Sequence, residues 1–277
     1  ADILQKQGVE NYWQISFLIL STIITLCSIG LLFIPERNSE EKIRLQKLAD
    51  QKIVKKIGSS NNFAKIFAWF YSTVINPLLS FFKKNTFKVA FAILGFIFLF
   101  KIGEAFLGRM SLVFYKEIGF SKTDIALYSK GIGWLTTITF TLLGGLFAVR
   151  MGLIKAMFVS GILMASTNIM FSVLAWIGNS EILFAFTVLI DDLAAAFATV
   201  AFVGFISALV DRNYTATQYA LLASIGTAGR TLFASSSGMM VDWLNGNWIV
   251  FFIITALMVI PSLVCLFLIR KKLNFNE

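Results

Sequence analysis

The chain has 277 residues, of which 57% are apolar and 14% charged, against roughly 25% charged residues in a typical soluble domain. Its net charge is +9, and it has no histidine, the commonest metal ligand and the usual proton shuttle near neutral pH. The 29 phenylalanines and several apolar runs of about 20 residues exclude a soluble fold and predict an all-α polytopic membrane protein.

No motif indicates an enzyme or a nucleic-acid-binding protein. The chain has no glycine-rich phosphate loop and no nucleophile elbow, so we expect no catalytic residues, no cofactor and no metal site. Cys27 and Cys265 lie in separate apolar runs and are expected to pack as free thiols. The basic residues cluster beside apolar runs, where they set membrane orientation, and this favours a lipid bilayer as the partner over nucleic acid.

Seven apolar runs predict membrane-spanning helices. The first is separated from the others by a long basic segment, and the remaining six follow one another at short intervals. The predicted spans are 13–34, 87–107, 124–149, 155–177, 182–210, 217–240 and 248–269. We therefore divide the chain into a first helix at 1–34, a basic loop at 35–86 and a six-helix bundle at 87–277.

The loop at 35–86 carries a large excess of Lys and Arg, which predicts that it is cytoplasmic. Within it, apolar residues recur at helical spacing over 63–84 and indicate an amphipathic helix in the membrane interface. An eighth span is the alternative, but it would carry Lys83, Lys84 and Lys88 to the outer side. Alternation of the spans then places the N-terminus outside the cytoplasm and the C-terminus inside.

One span, a basic loop and six further spans match part of a twelve-helix carrier. In the major facilitator fold, two six-helix halves are joined by a cytoplasmic loop, and the substrate binds between them near the midplane. The stretch GGLFAVRMG at 144–152 resembles the signature of that superfamily, with Val149 near the position of its acid. This resemblance implies that 1–34 is the last helix of the N-terminal half and that 87–277 is the second half.

Five charged residues lie deep within the predicted spans, where each costs about 2.5–3.5 kcal/mol at the bilayer centre. They are Lys101, Glu104, Asp191, Asp192 and Arg230. Because facing lipid would be so costly, we expect them to face the bundle interior or a wet cavity. Lys101 and Glu104 are one turn apart and suit either a structural ion pair or a ligand site.

The acid pair and the remaining polar candidates suggest transport chemistry. Side chains of Asp191 and Asp192 point about 100° apart on a helix, so one partner cannot satisfy both. A crowded carboxylate can take up and release a proton, which suits proton coupling. Arg230 stays charged and could bind an anionic substrate group or pair with an aspartate. Gln218 is either a packing residue or a substrate ligand.

Three stretches resemble one family of bacterial carriers. They are FKIGEAF at 100–106, IDDLAAAFATVAFVGF at 190–205 and TATQYALLASIGTAGR at 215–230. All three are similar to helices of the AmpG muropeptide permeases of cell-wall recycling. Glu104 stands in the place of the acid in that family's KLGDAF pattern, Asp191 matches an acid of its tenth helix, and Asp192 replaces an amide.

The resemblance implies a proton-driven importer of anhydromuropeptides in the bacterial inner membrane, with partners that are a sugar-peptide anion, protons and the bilayer. The implied substrate-binding residues are Lys101, Arg230 and Gln218, and the implied proton-coupling residues are Asp191, Asp192 and Glu104. The family's first five helices have no counterpart in the chain, which begins at Ala1 and has its first methionine at Met110. We therefore expect further sequence upstream and no transport by this portion alone. The alternatives are a carrier of another bulky anion, such as acetyl-coenzyme A, and a transport-inactive remnant or membrane scaffold.

Overall fold

The computed structural model describes residues 11–33, 69–71, 75–131, 133–211 and 215–273. These residues form helices and turns without any strand, which confirms the all-α prediction. The chain has two compact units, at 1–56 and 57–277. In the first unit, the described helix α1 spans Tyr12–Leu32. None of the described residues of α1 between Trp13 and Gly30 is buried.

The second unit contains the helical bundle, whose helices we number α2 to α11. They are α2 Asn76–Lys84, α3 Phe87–Leu99, α4 Ile102–Glu117, α5 Gly133–Met151, α6 Leu153–Ile177, α7 Glu181–Leu209, α8 Thr215–Ala234, α9 Ser237–Trp243, α10 Trp248–Leu257 and α11 Ile260–Ile269. One helical turn at Lys122–Asp124 and a π-helix at Ile125–Gly131 lead into α5.

Membrane-length helices coincide with five of the seven predicted spans. Among the described residues, the segments long and apolar enough to cross a bilayer are Trp13–Gly30, Phe87–Glu117, Leu153–Ile177, Glu181–Leu209 and Trp248–Ile269. The apolar part of α5, Leu135–Met151, is shorter. The predicted span at 217–240 is helical as α8 and α9 but is not among the five; serines, threonines and Arg230 make it more polar.

One predicted boundary is wrong. The second span was expected to end at Leu107, but the helix continues to Glu117. The charge on Arg109 does not end it, because that side chain lies on the exposed surface. At the far end, the Glu117 carboxylate accepts a hydrogen bond of 2.6 Å from the indole nitrogen of Trp248. Lys101 lies at the middle of this 31-residue segment.

Three of the passes are interrupted. The first breaks between α3 and α4 at Phe100 and Lys101, and another breaks between α8 and α9 at Ser235 and Ser236. The last breaks between α10 and α11, where Pro261 in the first turn of α11 has no backbone N–H to continue the helix. The bundle therefore has local irregular backbone, which membrane proteins tolerate where it is buried or lines a cavity.

The bundle has two separate apolar cores. α6 packs on α7 and α10, α7 packs on α5, and the α3–α4 segment packs on α8, α10 and α11. Core A includes Ile93, Phe96, Phe100, Met157, Phe205 and Leu266. Core B includes Phe106, Phe114, Phe171, Phe184, Phe251 and Phe252. The α3–α4 interruption at Lys101 lies where core A ends and core B begins.

The amphipathic helix predicted at 63–84 falls only partly within the described residues. The described parts are helical, at Trp69–Tyr71 and in α2, where Phe81 is buried and Lys83 is exposed. Pro77 lies in the first turn of α2, where a missing N–H costs no helical hydrogen bond. The rest of that segment and most of the basic loop lie outside the described residues.

Candidate functional site

Lys101 lies at the interruption between α3 and α4 and forms an ion pair. Its backbone has φ −97° and ψ 14°, outside the regular helix. Its Nζ lies 2.9 Å from Oε2 of Glu104, and both side chains are largely buried, at 12% and 19% exposure. Nζ also donates a hydrogen bond of 2.8 Å to the hydroxyl of Thr199 on α7. The predicted pairing between Lys101 and Glu104 is thus present, and it joins α4 to α7 through Thr199.

Asp191 and Asp192 face different neighbours, as the 100° separation requires. The Asp191 carboxylate accepts a hydrogen bond of 3.0 Å from the hydroxyl of Thr167 on α6. The Asp192 carboxylate accepts one of 2.9 Å from the hydroxyl of Thr136 on α5. Both aspartates are partly buried. Each aspartate therefore has a different threonine as its hydrogen-bond partner, one on α6 and the other on α5.

Glu104 connects the lysine site to the acid pair. The Glu104 carboxylate is close enough to Asp191 to interact with it electrostatically, and the Asp192 carboxylate is as well. Asp191 also interacts with Tyr115, which lies three turns beyond Glu104 on α4 and is buried. Lys101, Glu104 and Asp191 therefore belong to one charged layer inside the bundle, between α4, α6 and α7.

Arg230 lies on the exposed surface of α8. The preceding Gly229 packs directly on the backbone carbonyl of Phe98, where no side chain could fit. This contact fixes the depth of Arg230 within about one helical turn of Lys101, since a helix rises 1.5 Å per residue. No ion pair of Arg230 is found within the described part of the chain. The structure thus puts Arg230 at the depth of the charged layer but on an open face.

Gln218 is the one candidate that the structure places away from the charged layer. It is buried at 3% exposure near the start of α8. Its side-chain nitrogen donates a hydrogen bond of 2.8 Å to the carbonyl of Pro77. Its side-chain oxygen accepts one of 2.6 Å from the backbone nitrogen of Asp211. The amide is thus engaged in holding α2 against the beginning of α8.

Sequence reasoning missed the hydroxyl partners of the charged residues. Thr136, Thr167 and Thr199 lie in apolar helices, where threonines commonly bond only to a backbone carbonyl one turn earlier. All three also lie within hydrogen-bond distance of such a carbonyl. Nothing in the sequence separates them from Thr137 or Thr227, whose hydroxyls donate to the backbone carbonyls of Gly133 and Ala223.

No cluster of three or more His, Cys, Asp or Glu side chains that could hold a metal ion occurs within the described ranges. The candidate residues and their partners supply carboxylates, two cations and hydroxyl groups. Carboxylates and hydroxyls exchange protons, and the cations bind anions. Such a set suits binding and proton exchange.

Comparison with known proteins relates this charged bundle to a group of bacterial transporters. The chain is 32% identical over 269 residues to a Rickettsia felis protein named as the transporter AmpG 4, covering 95% of the chain and 58% of that protein. It is a homologue of part of the AmpG transporters. It is also 26% identical over 266 residues to the anhydromuropeptide permease of Escherichia coli K12, covering 96% of the chain and 48% of the permease.

A third relative, named AmpG 3, comes from Rickettsia typhi and is 27% identical over 228 residues, which is 82% of the chain and 53% of that protein. No family model matches the chain. The chain spans about half the length of the curated relatives that it matches. The similarity confirms the resemblance noted in the sequence, and the relatives are named as transporters or permeases rather than enzymes.

Proposed function

We propose that the chain is a membrane-embedded part of a proton-coupled carrier that imports anhydromuropeptides across the bacterial inner membrane. The observation that carries this proposal is the layer of Lys101, Glu104 and Asp191 inside the bundle, at the interruption between α3 and α4. Transporters commonly bind substrate and coupling ions at broken helices near the membrane midplane. The similarity to an anhydromuropeptide permease supports the substrate class.

The bundle would be one half of a major facilitator carrier. The interrupted α3–α4 pass, together with α5, α6, α7, α8–α9 and α10–α11, makes six passes after the basic loop. In such a carrier the second half completes the substrate cavity. The exposed face of α8, with Arg230, is then the face that the other half covers.

The charged residues have distinct roles in this proposal. Arg230 and Lys101 attract the carboxylates of the peptide part of the substrate, because guanidinium and ammonium groups donate strong charge-assisted hydrogen bonds to carboxylates. Asp191 carries the coupled proton, with Asp192 and Glu104 as the nearby acids that adjust its charge. Gln218 holds α2 in place rather than binding substrate.

The orientation follows the distribution of basic residues. The N-terminus of the chain faces the periplasm and the C-terminus faces the cytoplasm, which keeps the basic loop and the tail residues Arg270, Lys271 and Lys272 on the cytoplasmic side. Single cysteines at the exposed positions Glu181 and Lys271 test this in spheroplasts, in a Cys27→Ser/Cys265→Ser background. An impermeant maleimide should label the first and spare the second, and the reverse pattern would refute the orientation.

Uptake of labelled anhydromuropeptide into membrane vesicles tests the function, using the complete gene product that contains this chain. We expect uptake that rises with an inward proton gradient and falls to background when a protonophore removes the gradient. A sodium gradient of equal size and competition by acetyl-coenzyme A are the controls. Uptake that ignores the proton gradient would refute the coupling, and uptake or binding of acetyl-coenzyme A alone would refute the substrate.

The Asp191→Asn variant tests the assignment of the proton carrier in the same vesicles. We expect it to abolish gradient-driven uptake, because the amide cannot ionise, while leaving the fold intact, since Thr167 can still donate to the amide oxygen. Asp192→Asn is the comparison on the next residue, and we expect it to reduce uptake without abolishing it, because Asp192 acts on Asp191 but does not carry the proton. Normal gradient-dependent uptake by Asp191→Asn would defeat this assignment.

A further inference from the structure

We infer that Thr167 is a positioning residue that stabilises Asp191 in both of its protonation states by rotating one hydroxyl group. The inference rests on the proposed function, because it makes Asp191 the group that gains and loses a proton. It concerns the contact between α6 and α7 and does not depend on which substrate the carrier takes.

The hydroxyl of Thr167 lies between two acceptors. Its oxygen is 3.0 Å from the carboxylate of Asp191 and 3.0 Å from the backbone carbonyl of Met164, one turn earlier on α6. A hydroxyl has one proton to donate and two lone pairs that accept. It can therefore donate to only one of these two oxygens at a time. The equal distances mean that either choice needs rotation about one bond and no movement of the helices.

The two choices correspond to the two states of the acid. When Asp191 is ionised, the hydroxyl donates to its carboxylate and the Met164 carbonyl keeps its helical hydrogen bond. When Asp191 is protonated, the carboxyl group can donate to the Thr167 oxygen, and the hydroxyl turns its own proton to Met164. Thr167 is buried at 1% exposure, so bulk water cannot readily take over either role. A buried carboxyl without such a partner would lose a hydrogen bond in one state or the other.

Thr199 provides an internal contrast at a similar contact. Its hydroxyl donates to the carbonyl of Ala195 at 2.7 Å and accepts from the Lys101 ammonium at 2.8 Å. An ammonium only donates, so this hydroxyl has one consistent arrangement. The threonine beside the lysine is therefore held in a single state, whereas the threonine beside Asp191 has two.

The charged and titratable groups around Asp191 do not supply a substitute for Thr167. Asp191 interacts with Glu104 and Tyr115 of α4 and with Asp192 of its own helix, and Lys101 is paired with Glu104. On α6, the ionisable side chain is Lys155 near the beginning of the helix, more than three turns from Thr167. The hydrogen bond to the Asp191 side chain comes from Thr167.

The test compares Thr167→Val, which keeps the shape and removes the hydroxyl, with Thr167→Ser, which keeps the hydroxyl. Ser166→Ala is the matched control, because Ser166 is the preceding residue on α6 but is exposed and bonds to the carbonyl of Ile162. Infrared difference spectra of the purified chain in lipid, recorded across a pH titration, report the carboxyl band of Asp191. The Asp191→Asn variant identifies that band by its loss.

We expect Thr167→Val to move the pH at which the Asp191 carboxyl band disappears upward by about one unit. Both protonation states lose a hydrogen bond, but the bond to the ionised carboxylate is the stronger of the two. Thr167→Ser and Ser166→Ala should titrate like the parent chain. The inference is overturned if Thr167→Val titrates like Ser166→Ala, or if Thr167→Ser shifts as far as Thr167→Val. All variants must first elute as single species in detergent, and if valine prevents folding, Thr167→Ala replaces it.

The infrared experiment needs no transport, so it separates this inference from the proposed function. If Asp191→Asn leaves gradient-driven uptake intact while Thr167→Val still shifts the band, Asp191 is not the proton carrier. The rotation of the Thr167 hydroxyl, which we call the switch, is then still supported. If Asp191→Asn abolishes uptake while the band is unaffected in Thr167→Val, the assignment stands and the switch fails. In the complete carrier, a supported switch also predicts that the pH of half-maximal uptake moves upward in Thr167→Val.

Discussion

Lys101 and Arg230 are two cations at nearly the same depth of the bundle in opposite environments. Lys101 is largely buried, with Glu104 and Thr199 as partners, whereas Arg230 is exposed on α8 with no ion pair in the described residues. A buried charge depends on its partner, because removing the partner leaves the full desolvation cost. An exposed cation has no such dependence. Under the proposed function both cations attract the substrate, but we predict that only Lys101 also contributes to the stability of the bundle.

The largest expected effect comes from breaking the buried pair. Glu104→Gln keeps the shape of the side chain but leaves the Lys101 ammonium group without an opposite charge beside it. We expect a loss of about 3–5 kcal/mol in the free energy of unfolding. Chemical denaturation of the purified chain in mixed micelles measures it. The double variant Lys101→Met/Glu104→Leu should recover most of the loss, because it removes both charges. A stability of Glu104→Gln equal to that of the parent would show that the lysine is hydrated rather than paired.

An intermediate effect is expected at Gln218, which tests whether a buried polar candidate is structural. Gln218→Leu removes the two hydrogen bonds between the Gln218 side chain and the backbones of Pro77 and Asp211, at a cost of about 1–3 kcal/mol in unfolding free energy. Affinity for anhydromuropeptide, measured by calorimetry on the complete gene product, should not change. Weaker binding at unchanged stability would instead support Gln218 as a substrate-binding residue.

The smallest effect on stability is expected at Arg230. Arg230→Gln should change the unfolding free energy by no more than about 0.5 kcal/mol, as is usual for exposed positions. The same calorimetric assay should show about tenfold weaker binding, through loss of a charge-assisted hydrogen bond to a substrate carboxylate. Arg109→Gln is the control, since Arg109 is also exposed but lies on α4 beyond the charged layer. Equal losses in both variants would mean that only general attraction of anions is involved.

Much of the fold could be predicted from the sequence because hydropathy depends on composition alone. The spans at 13–34, 155–177, 182–210 and 248–269 each coincide with a helix that is long and apolar enough to cross a bilayer. The end of the second span could not be predicted, because the exposed Arg109 resembles a helix-ending charge in a hydropathy profile. The π-helix at Ile125–Gly131 was also beyond prediction, since its residues suit an α-helix equally well.

The candidate site was predictable in its charges and not in its contacts. The spacing of Lys101 and Glu104 and the divergence of Asp191 and Asp192 follow from helix geometry, and both are present. The threonine partners depend on how α5, α6 and α7 pack, which one sequence does not specify. Gln218 shows the same limit, because its partners lie on a preceding helix and in the segment before α8.

The division of the bundle into two apolar cores has a mechanical consequence. Aromatic packing is dense within core A and within core B, but the layer between them consists of charged and hydroxyl side chains and the broken backbone of α3–α4. Polar contacts can re-form after a small displacement more easily than interlocked rings can repack. Since α6 and α7 run unbroken through both cores, such displacements are confined to the layer itself and to the ends of α3 and α4 that meet there.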